Sequence, residues 1–167
     1  MTTRVLKAQH VSKTFGSGNA VVRAVNDVTL DIAPSEIVLI MGPSGSGKTT
    51  LLSMLGGLLR PSEGTVHIDG VEITARDEGE LPSIRALKVG FVFQAFNLLD
   101  ALTVEENILF PAQLKHGGIS AARPRADALL DQLGLTPRRK ALPKTLSGGE
   151  QQRVAIARAL INEPPLI

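Results

Sequence analysis

The nine residues GPSGSGKTT, Gly42 to Thr50, constrain this chain more than any other stretch, because they fit the pattern G-x-x-x-x-G-K-[ST]. A continuously apolar run, Ile37–Met41, leads into them, and an apolar-periodic segment leads out. The run predicts a strand buried on both faces, and the segment predicts a helix from about Lys48 to Leu59. A strand, a glycine-rich loop and a helix in this order predict an α/β core.

The loop has the composition of a site for a nucleoside triphosphate. Backbone N–H groups of residues 44–49 can converge on phosphate oxygens if Gly45 and Gly47 keep side chains out of the way. The start of the following helix adds a favourable dipole. The Lys48 ammonium can reach the β and γ phosphates, and the Thr49 hydroxyl can hold Mg²⁺. The alternative, a glycine-rich turn that binds nothing, does not require Lys and Thr at these positions.

The remaining segments predict an antiparallel β piece before this core and a helical insert after it. β-Branched or apolar runs predict strands at Val5–Val11, Val21–Ile32, Thr65–Ile68 and Val89–Phe93, with turns at TFGSGNA and at Asp69-Gly70.

From about Leu98 to Leu146 the pattern is helical. Thr103 with Glu106 predicts a capping box, and a second helix is predicted to start between Ser120 and Pro124. That helix should end at Gly134, with Leu135 closing a Schellman motif.

Composition excludes several classes of protein. The net charge of +2 is too small to argue for a nucleic-acid partner, and the run Arg138-Arg139-Lys140 is expected to be a solvated face. No apolar run approaches the length of a membrane span, so any membrane role is predicted to be peripheral. The chain has no cysteine, and its three histidines show no metal-ligand spacing.

The stretch TLSGGEQQRVAIARAL, Thr145 to Leu160, predicts a helix with two glycines in its first turn. Ser147 and Glu150 fit the capping box S-x-x-E, but a cap does not require Gly148 and Gly149, which cost about 1 kcal/mol each against alanine. Bare N–H groups and a serine hydroxyl at a helix start form an anion site, and glycine admits a close ligand. We therefore predict a second phosphate-binding element, acting either within one chain or between two chains that meet head to tail.

Together with GPSGSGKTT and VGFVFQAFNLL (Val89 to Leu99), the sequence LSGGEQQR resembles the signature of the ATP-binding cassette (ABC) ATPases. The resemblance extends from about Arg4 to Ile167 and is greatest to the lipoprotein-releasing and macrolide-exporting type, as in AVNDVTLDI and RVAIARALINEPPLI. It implies a P-loop NTPase core with an N-terminal antiparallel β subdomain and an α-helical insert carrying the signature. It also implies a head-to-tail homodimer or pseudo-dimer, in which the signature of one subunit closes on ATP held by the other.

The resemblance assigns roles to individual residues. Lys48 and Gln94 are expected to act in catalysis, and Thr49 and Gln94 to hold Mg²⁺. Phe15 stands where the family has an aromatic that stacks on adenine; its alternative is a core or turn phenylalanine, and that of Gln94 is a solvated glutamine at a strand end. ATP is expected to contact Phe15, Gly42, Pro43, Ser44, Gly45, Ser46, Gly47, Lys48, Thr49, Thr50 and Gln94 of one subunit, and Ser147, Gly148, Gly149 and Glu150 of the other.

The resemblance further implies one incomplete nucleotide-binding domain, with a core and β subdomain in residues 1–97, a helical subdomain in 98–146, and the signature helix and the start of a strand in 147–167. The family's Walker B acids and switch histidine would follow Ile167, so these residues alone are expected to fold poorly and to be inactive. Integral-membrane subunits are expected to dock near Ala95–Leu99, with the protein peripheral on the cytoplasmic side of the plasma membrane.

Two other functions remain open at this stage. One is a truncated nucleotide-binding fragment or pseudo-enzyme that does not hydrolyse ATP. The other is a soluble ABC-type ATPase acting on DNA or ribosomes. The second is disfavoured because no heptad run separates Lys48 from Ser147 and the chain carries a single cassette.

Overall fold

The computed structural model of the protein describes residues 4–16 and 20–167. The chain divides into two compact units, one formed by Met1–Arg85 with Leu166 and the other by Ala86–Pro165 with Ile167. None of the helices in the described ranges is long and apolar enough to cross a membrane. The sequence-based division of the chain after residues 97 and 146 stays a prediction.

A four-stranded antiparallel sheet forms in the first unit. Its strands are β1 (Leu6–Phe15), β2 (Val22–Ile32), β3 (Glu63–Ile68) and β4 (Val71–Glu72), in the spatial order β2-β1-β3-β4. The predicted antiparallel piece is therefore confirmed, although β1 extends further and the short β4 has no counterpart among the predicted strands. The predicted TFGSGNA turn lies partly outside the described residues, at positions 17–19.

The predicted turn at Asp69-Gly70 joins β3 to β4. Both residues have positive φ, +47° at Asp69 and +76° at Gly70. A two-residue type I′ hairpin turn requires positive φ at both central positions, which is why Asp-Gly is favoured there.

The helix after the phosphate loop, α1, spans Lys48–Leu55 and ends earlier than the sequence analysis predicts. Gly57 has φ +71°, and its N–H donates to the carbonyl of Met54 at 3.0 Å, while the N–H of Leu58 donates to the carbonyl of Ser53 at 2.8 Å. These two bonds form a Schellman motif, which ends the helix at the glycine pair.

The predicted strand Ile37–Met41 is wrong in this structure. The segment has no strand assignment, and Ile37, Leu39 and Met41 are 96%, 75% and 80% exposed. A strand buried on both faces needs pairing partners at its edges, and no strand of the described residues pairs with this segment. The predicted strand Val89–Phe93 is also wrong, since only Val89 is assigned, as a single bridge residue.

The second unit is helical, and the first of the helices given below begins before it, at Leu81. The helices of the rest of the chain are α2 (Leu81–Lys88), α3 (Val104–Leu109), α4 (Gly118–Gln132) and α5 (Gly148–Leu160). Short 3₁₀ turns at Phe110–Leu114, Thr136–Arg138 and Pro143–Thr145 connect them. The helical insert is confirmed, whereas α2 has no counterpart among the predicted elements.

Two of the predicted helix ends in this unit are confirmed. Thr103 and Glu106 form a reciprocal capping box at the start of α3. Beyond the end of α4, Gly134 has φ +64°, and the N–H of Leu135 donates to the carbonyl of Leu130 at 2.7 Å, as a Schellman motif requires.

The predicted start of α4 is wrong. The helix begins at Gly118, so Pro124 lies inside it rather than near its first turn. Proline lacks the N–H that would bond to the carbonyl four residues earlier, and α4 tolerates this loss because later residues bury its apolar face. Packing therefore overrides a local start signal here.

One apolar core holds α3, α4 and α5 together. Leu130 of α4 and Val154, Ala157 and Ile161 of the α5 region are among its buried members. This packing fixes where α5 begins and thus places the glycine-led turn at the surface of the unit.

We expect Leu130→Ala to lower the free energy of unfolding by about 2–5 kcal/mol, because the side chain is 0% exposed and its removal leaves a cavity. The matched control is Leu114→Ala, at a leucine that is 52% exposed, where a change within about 0.5 kcal/mol is expected. Urea unfolding followed by circular dichroism measures both. Equal losses of unfolding free energy in the two variants would contradict the expectation that burial sets the cost of each substitution.

Candidate functional site: a phosphate loop and a glycine-led helix start

The start of α1 has no side-chain cap, although within the preceding loop the N–H of Ser46 donates to the carbonyl of Pro43 at 3.3 Å. Gly47 is the N-cap residue of α1, with φ +86°, and no side chain caps the first turn of that helix. A Cβ at Gly47 would lie 2.1 Å from the carbonyl oxygen of Ala24 in β2, so only glycine fits there. At Gly45, with φ +79°, none of the described residues places an atom within 4 Å of where a Cβ would lie. The loop thus combines a backbone that needs glycine with a helix start that no side chain caps.

Lys48 lies over the same loop. Its ammonium donates to the carbonyls of Gly42 at 2.8 Å and Pro43 at 2.7 Å, and lies 3.4 Å from the Ser46 hydroxyl. A positive charge therefore stands beside the positive end of the α1 dipole. This pairing of charges favours an anion, and neutral loop carbonyls are partners that an anionic phosphate oxygen can replace.

Phe15 is the last residue of β1 and pairs with Val22 of β2. Its side chain is 43% exposed, and the Lys13 ammonium lies 5.5 Å from the ring centroid. The ring therefore lies at the surface of the sheet, with a cation over its face. Its stacking on adenine stays a prediction.

Gln94 lies exposed in a turn rather than at the end of a strand. The turn continues through Phe96 and Asn97, which have φ of +60° and +48°, a conformation that is uncommon for residues other than glycine.

Arg158 of α5 donates from Nη2 to the carbonyl of Phe96 at 2.7 Å and from Nη1 to that of Asn97 at 2.5 Å. Burial lowers the pKa of Arg158 from its usual value. Sequence reasoning missed Arg158, because a partner 61 positions away leaves no local signal.

The start of α5 carries the predicted capping box. The N–H of Glu150 donates to the Ser147 hydroxyl oxygen at 3.3 Å, and the N–H and hydroxyl of Ser147 donate to Glu150 Oε2 at 2.8 and 2.9 Å. The backbone bond from Ser147, followed by the bond from Arg138, lowers the pKa of Glu150 to about 2. Glu150 is therefore ionised at neutral pH.

The two glycines of α5 are not needed by their own chain. A Cβ at Gly148 would meet no atom of the described residues within 4 Å, and one at Gly149 would meet only Arg153 Nη1, at an ordinary 3.7 Å. Both residues are exposed. The space over the first turn of α5 is thus open to something from outside the described chain.

The family profile described as "ABC transporter" matches residues 25–167. An uncharacterised ABC transporter ATP-binding protein of Methanocaldococcus jannaschii, MJ0796, is 44% identical over 167 residues, which cover 98% of this chain and 71% of that protein. The macrolide export ATP-binding/permease protein MacB of Syntrophobacter fumaroxidans is 42% identical, over 98% of this chain and 23% of that protein. The chain belongs to the ABC transporter family.

Solved structures of MJ0796 share the fold. Its dimeric cassette matches with a TM-score of 0.86 at 43% identity, and a dimeric post-hydrolysis state bound to ADP and Pi matches with a TM-score of 0.87 at 44% identity. Each match covers 96% of this chain and 72% of that one. The predicted fold class, a P-loop NTPase core of the ABC type, is confirmed. The chain spans about half (49%) of a Mycobacterium tuberculosis ABC transporter ATP-binding protein, Rv0073, to which it is 48% identical.

We expect Arg158→Ala to speed hydrogen exchange at the amides of Phe96 and Asn97 by at least about tenfold, because two charge-assisted bonds to the turn are lost. Arg158→Lys should restore only part of the protection, since one ammonium lacks the forked donors of a guanidinium. Exchange is read by mass spectrometry over residues 93–99. The control is Arg125→Ala, whose guanidinium donates to the Leu160 carbonyl instead. Unchanged exchange in Arg158→Ala would contradict the role of these bonds.

Proposed function

We propose that this protein is the ATP-binding subunit of an ABC transporter, and that it couples ATP binding and hydrolysis between head-to-tail subunits to substrate movement by membrane subunits. The observation that carries the proposal is the open start of α5, where Gly148 and Gly149 serve no contact of their own chain. Membership of the family, and the dimeric state of the similar MJ0796 structures, support a second subunit as the source of the phosphate that enters there.

The phosphate loop would hold the nucleotide. Backbone N–H groups of residues 44–49 donate to the phosphates, and Lys48 exchanges its loop carbonyls for β and γ oxygens. The exposed ring of Phe15 offers a face for adenine. The Gly42–Thr50 loop fits a triphosphate because no side chain caps the start of α1 and the Lys48 ammonium lies over the loop.

Mg²⁺ would be held by the Thr49 hydroxyl together with phosphate oxygens, and the role of the Gln94 amide oxygen as a further ligand stays a prediction. Both side chains are exposed, and hydroxyl and amide oxygens are ligands that this hard cation accepts. When bound, the ion neutralises charge on the β and γ phosphates. The described residues contain no cluster of three or more His, Cys, Asp or Glu that could hold a metal without the nucleotide.

These residues would bind the nucleotide, orient its phosphates and neutralise their charge. None of them is assigned the activation of the attacking water. The expectation that the 167 residues alone do not hydrolyse ATP stays a prediction. A nucleotide-binding module that does not hydrolyse ATP is the second candidate. Measuring ATP turnover of the full polypeptide that carries this sequence, against Lys48→Ala, separates the two.

Closure between two subunits can be tested by mixing two defective variants. Lys48→Ala should abolish ATP binding, and Gly149→Asp should leave ATP binding intact but prevent ATP-driven dimerisation, since it puts a carboxylate where phosphate enters. If sites form between subunits, a mixture regains one complete site from the Lys48 of one variant and the Gly149 of the other. Sedimentation velocity with ATP and EDTA, which prevents turnover, should then show heterodimers. If each site forms within one chain, the mixture recovers nothing.

The membrane subunits would dock on residues 95–99, and the protein would lie peripherally on the cytoplasmic side of the membrane. Ala95, Asn97 and Leu99 of this segment are exposed. The turn is held in a defined shape by Arg158. An exposed segment of fixed shape is a suitable surface for a partner helix.

We expect Ala95→Arg and Leu99→Arg to abolish co-purification with the membrane subunits while leaving ATP affinity within about twofold of the unmodified protein. A bulky cation would block packing of an apolar partner but lies outside the nucleotide loop. The control is Leu58→Arg, at a leucine of the first unit that is 45% exposed. Loss of ATP binding in the Ala95 or Leu99 variants, or co-purification equal to the control, would refute docking at this segment.

A further inference from the structure

Arg138 makes a direct bond to the acidic residue at the start of α5. Its Nε donates to Glu150 Oε1 at 2.8 Å. The other carboxylate oxygen, Oε2, accepts the N–H and hydroxyl of Ser147. The Glu150 side chain is 17% exposed, against 52% for Arg138. The carboxylate is thus held in place on both oxygens, with the guanidinium on its outer side.

Glu150 creates an electrostatic problem for the proposed function. A negative charge in the first turn stabilises a helix, because it faces the positive end of the dipole. The same charge repels a phosphate that approaches the neighbouring N–H groups of Gly148 and Gly149. The carboxylate stays ionised at neutral pH, since its pKa is lowered to about 2 by Ser147 and Arg138. Some other group must therefore offset the repulsion.

We propose that Arg138 is a positioning residue that neutralises Glu150, so that the start of α5 stays attractive to the γ-phosphate of ATP on a second subunit. The inference rests on the proposed function, because without a phosphate from the second subunit there is nothing to repel. Arg138 does not itself touch the nucleotide in this proposal. It holds Oε1 on the side away from Ser147 and supplies the opposite charge.

The neighbouring Arg139 provides a matched control. It carries the same charge but bonds elsewhere, with Nη1 3.3 Å from Glu105 Oε1 and Nη2 bonded to Asp127. Arg138 and Arg139 were expected from sequence to be part of a solvated face; Arg138 is exposed and Arg139 half-buried, and both in addition bond to specific carboxylates. Of these three carboxylates, Glu150 is the one that lies at the glycine-led turn.

The test measures ATP-driven dimerisation of the full polypeptide by sedimentation velocity, with EDTA present. We expect Arg138→Ala to weaken dimerisation roughly 5- to 20-fold at low salt, because the unpaired charge of Glu150 then repels the phosphate with little screening. ATP affinity of the monomer should stay unchanged, and Arg138→Lys should recover part of the loss. Arg139→Ala should dimerise like the unmodified protein.

The decisive comparison places Arg138→Ala in a Glu150→Gln background. Glutamine keeps the capping box but removes the charge, so Arg138→Ala should then cause no further loss. A loss that persists in that background, or one that equals the Arg139→Ala effect, would overturn the inference. So would melting temperatures that fall in parallel with dimerisation in both backgrounds, because they would show a purely structural role.

The failure of this inference is distinguishable from that of the proposed function. If the Lys48→Ala and Gly149→Asp mixture forms heterodimers while Arg138→Ala dimerises normally, only the role of Arg138 is wrong. If the mixture recovers nothing, closure between subunits itself is wrong, and the inference falls with it.

Discussion

The constraint on which this structure depends is that a helix begins with backbone N–H groups that have no partner within the helix. At α1, no side chain satisfies them, and Gly47 brings the loop so close to β2 that no side chain could be added there. The helix start is thus left poorly satisfied by the protein alone. In the proposed function, phosphate would supply the missing acceptors.

The chain contains its own comparison for the second helix start. α3 and α5 begin with the same reciprocal capping box, Thr103 with Glu106 and Ser147 with Glu150. Between cap and acid, α3 carries valine and glutamate, whereas α5 carries two glycines. The cap geometry forms equally well in both. The glycines of α5 are therefore a departure from what the helix needs, which agrees with the proposed entry of an outside ligand there.

Most local signals in the sequence predicted local structure correctly, although the start of α4 was predicted wrongly. The two capping boxes, the end of α4 at Gly134 and the Asp69-Gly70 turn depend on residues a few positions apart, and all four are confirmed. The strand at Ile37–Met41 was predicted wrongly, because an apolar run becomes a strand only when other strands pair with it. The bonds of Arg138 and Arg158 were missed, because each depends on how α5 packs against distant segments.

The two bonds from Arg158 have a mechanical consequence. Ser147 and Arg158 are joined by a continuous helix, about 16 Å long at 1.5 Å per residue. A helix moves as a stiff rod, so an axial displacement at its first turn arrives almost undiminished at its far end. Arg158 donates to the carbonyls of Phe96 and Asn97 at 2.7 and 2.5 Å, so the last turn of α5 is bonded directly to the turn that contains these two residues. A displacement of the first turn of α5 along the helix axis would therefore also displace the turn that contains Gln94.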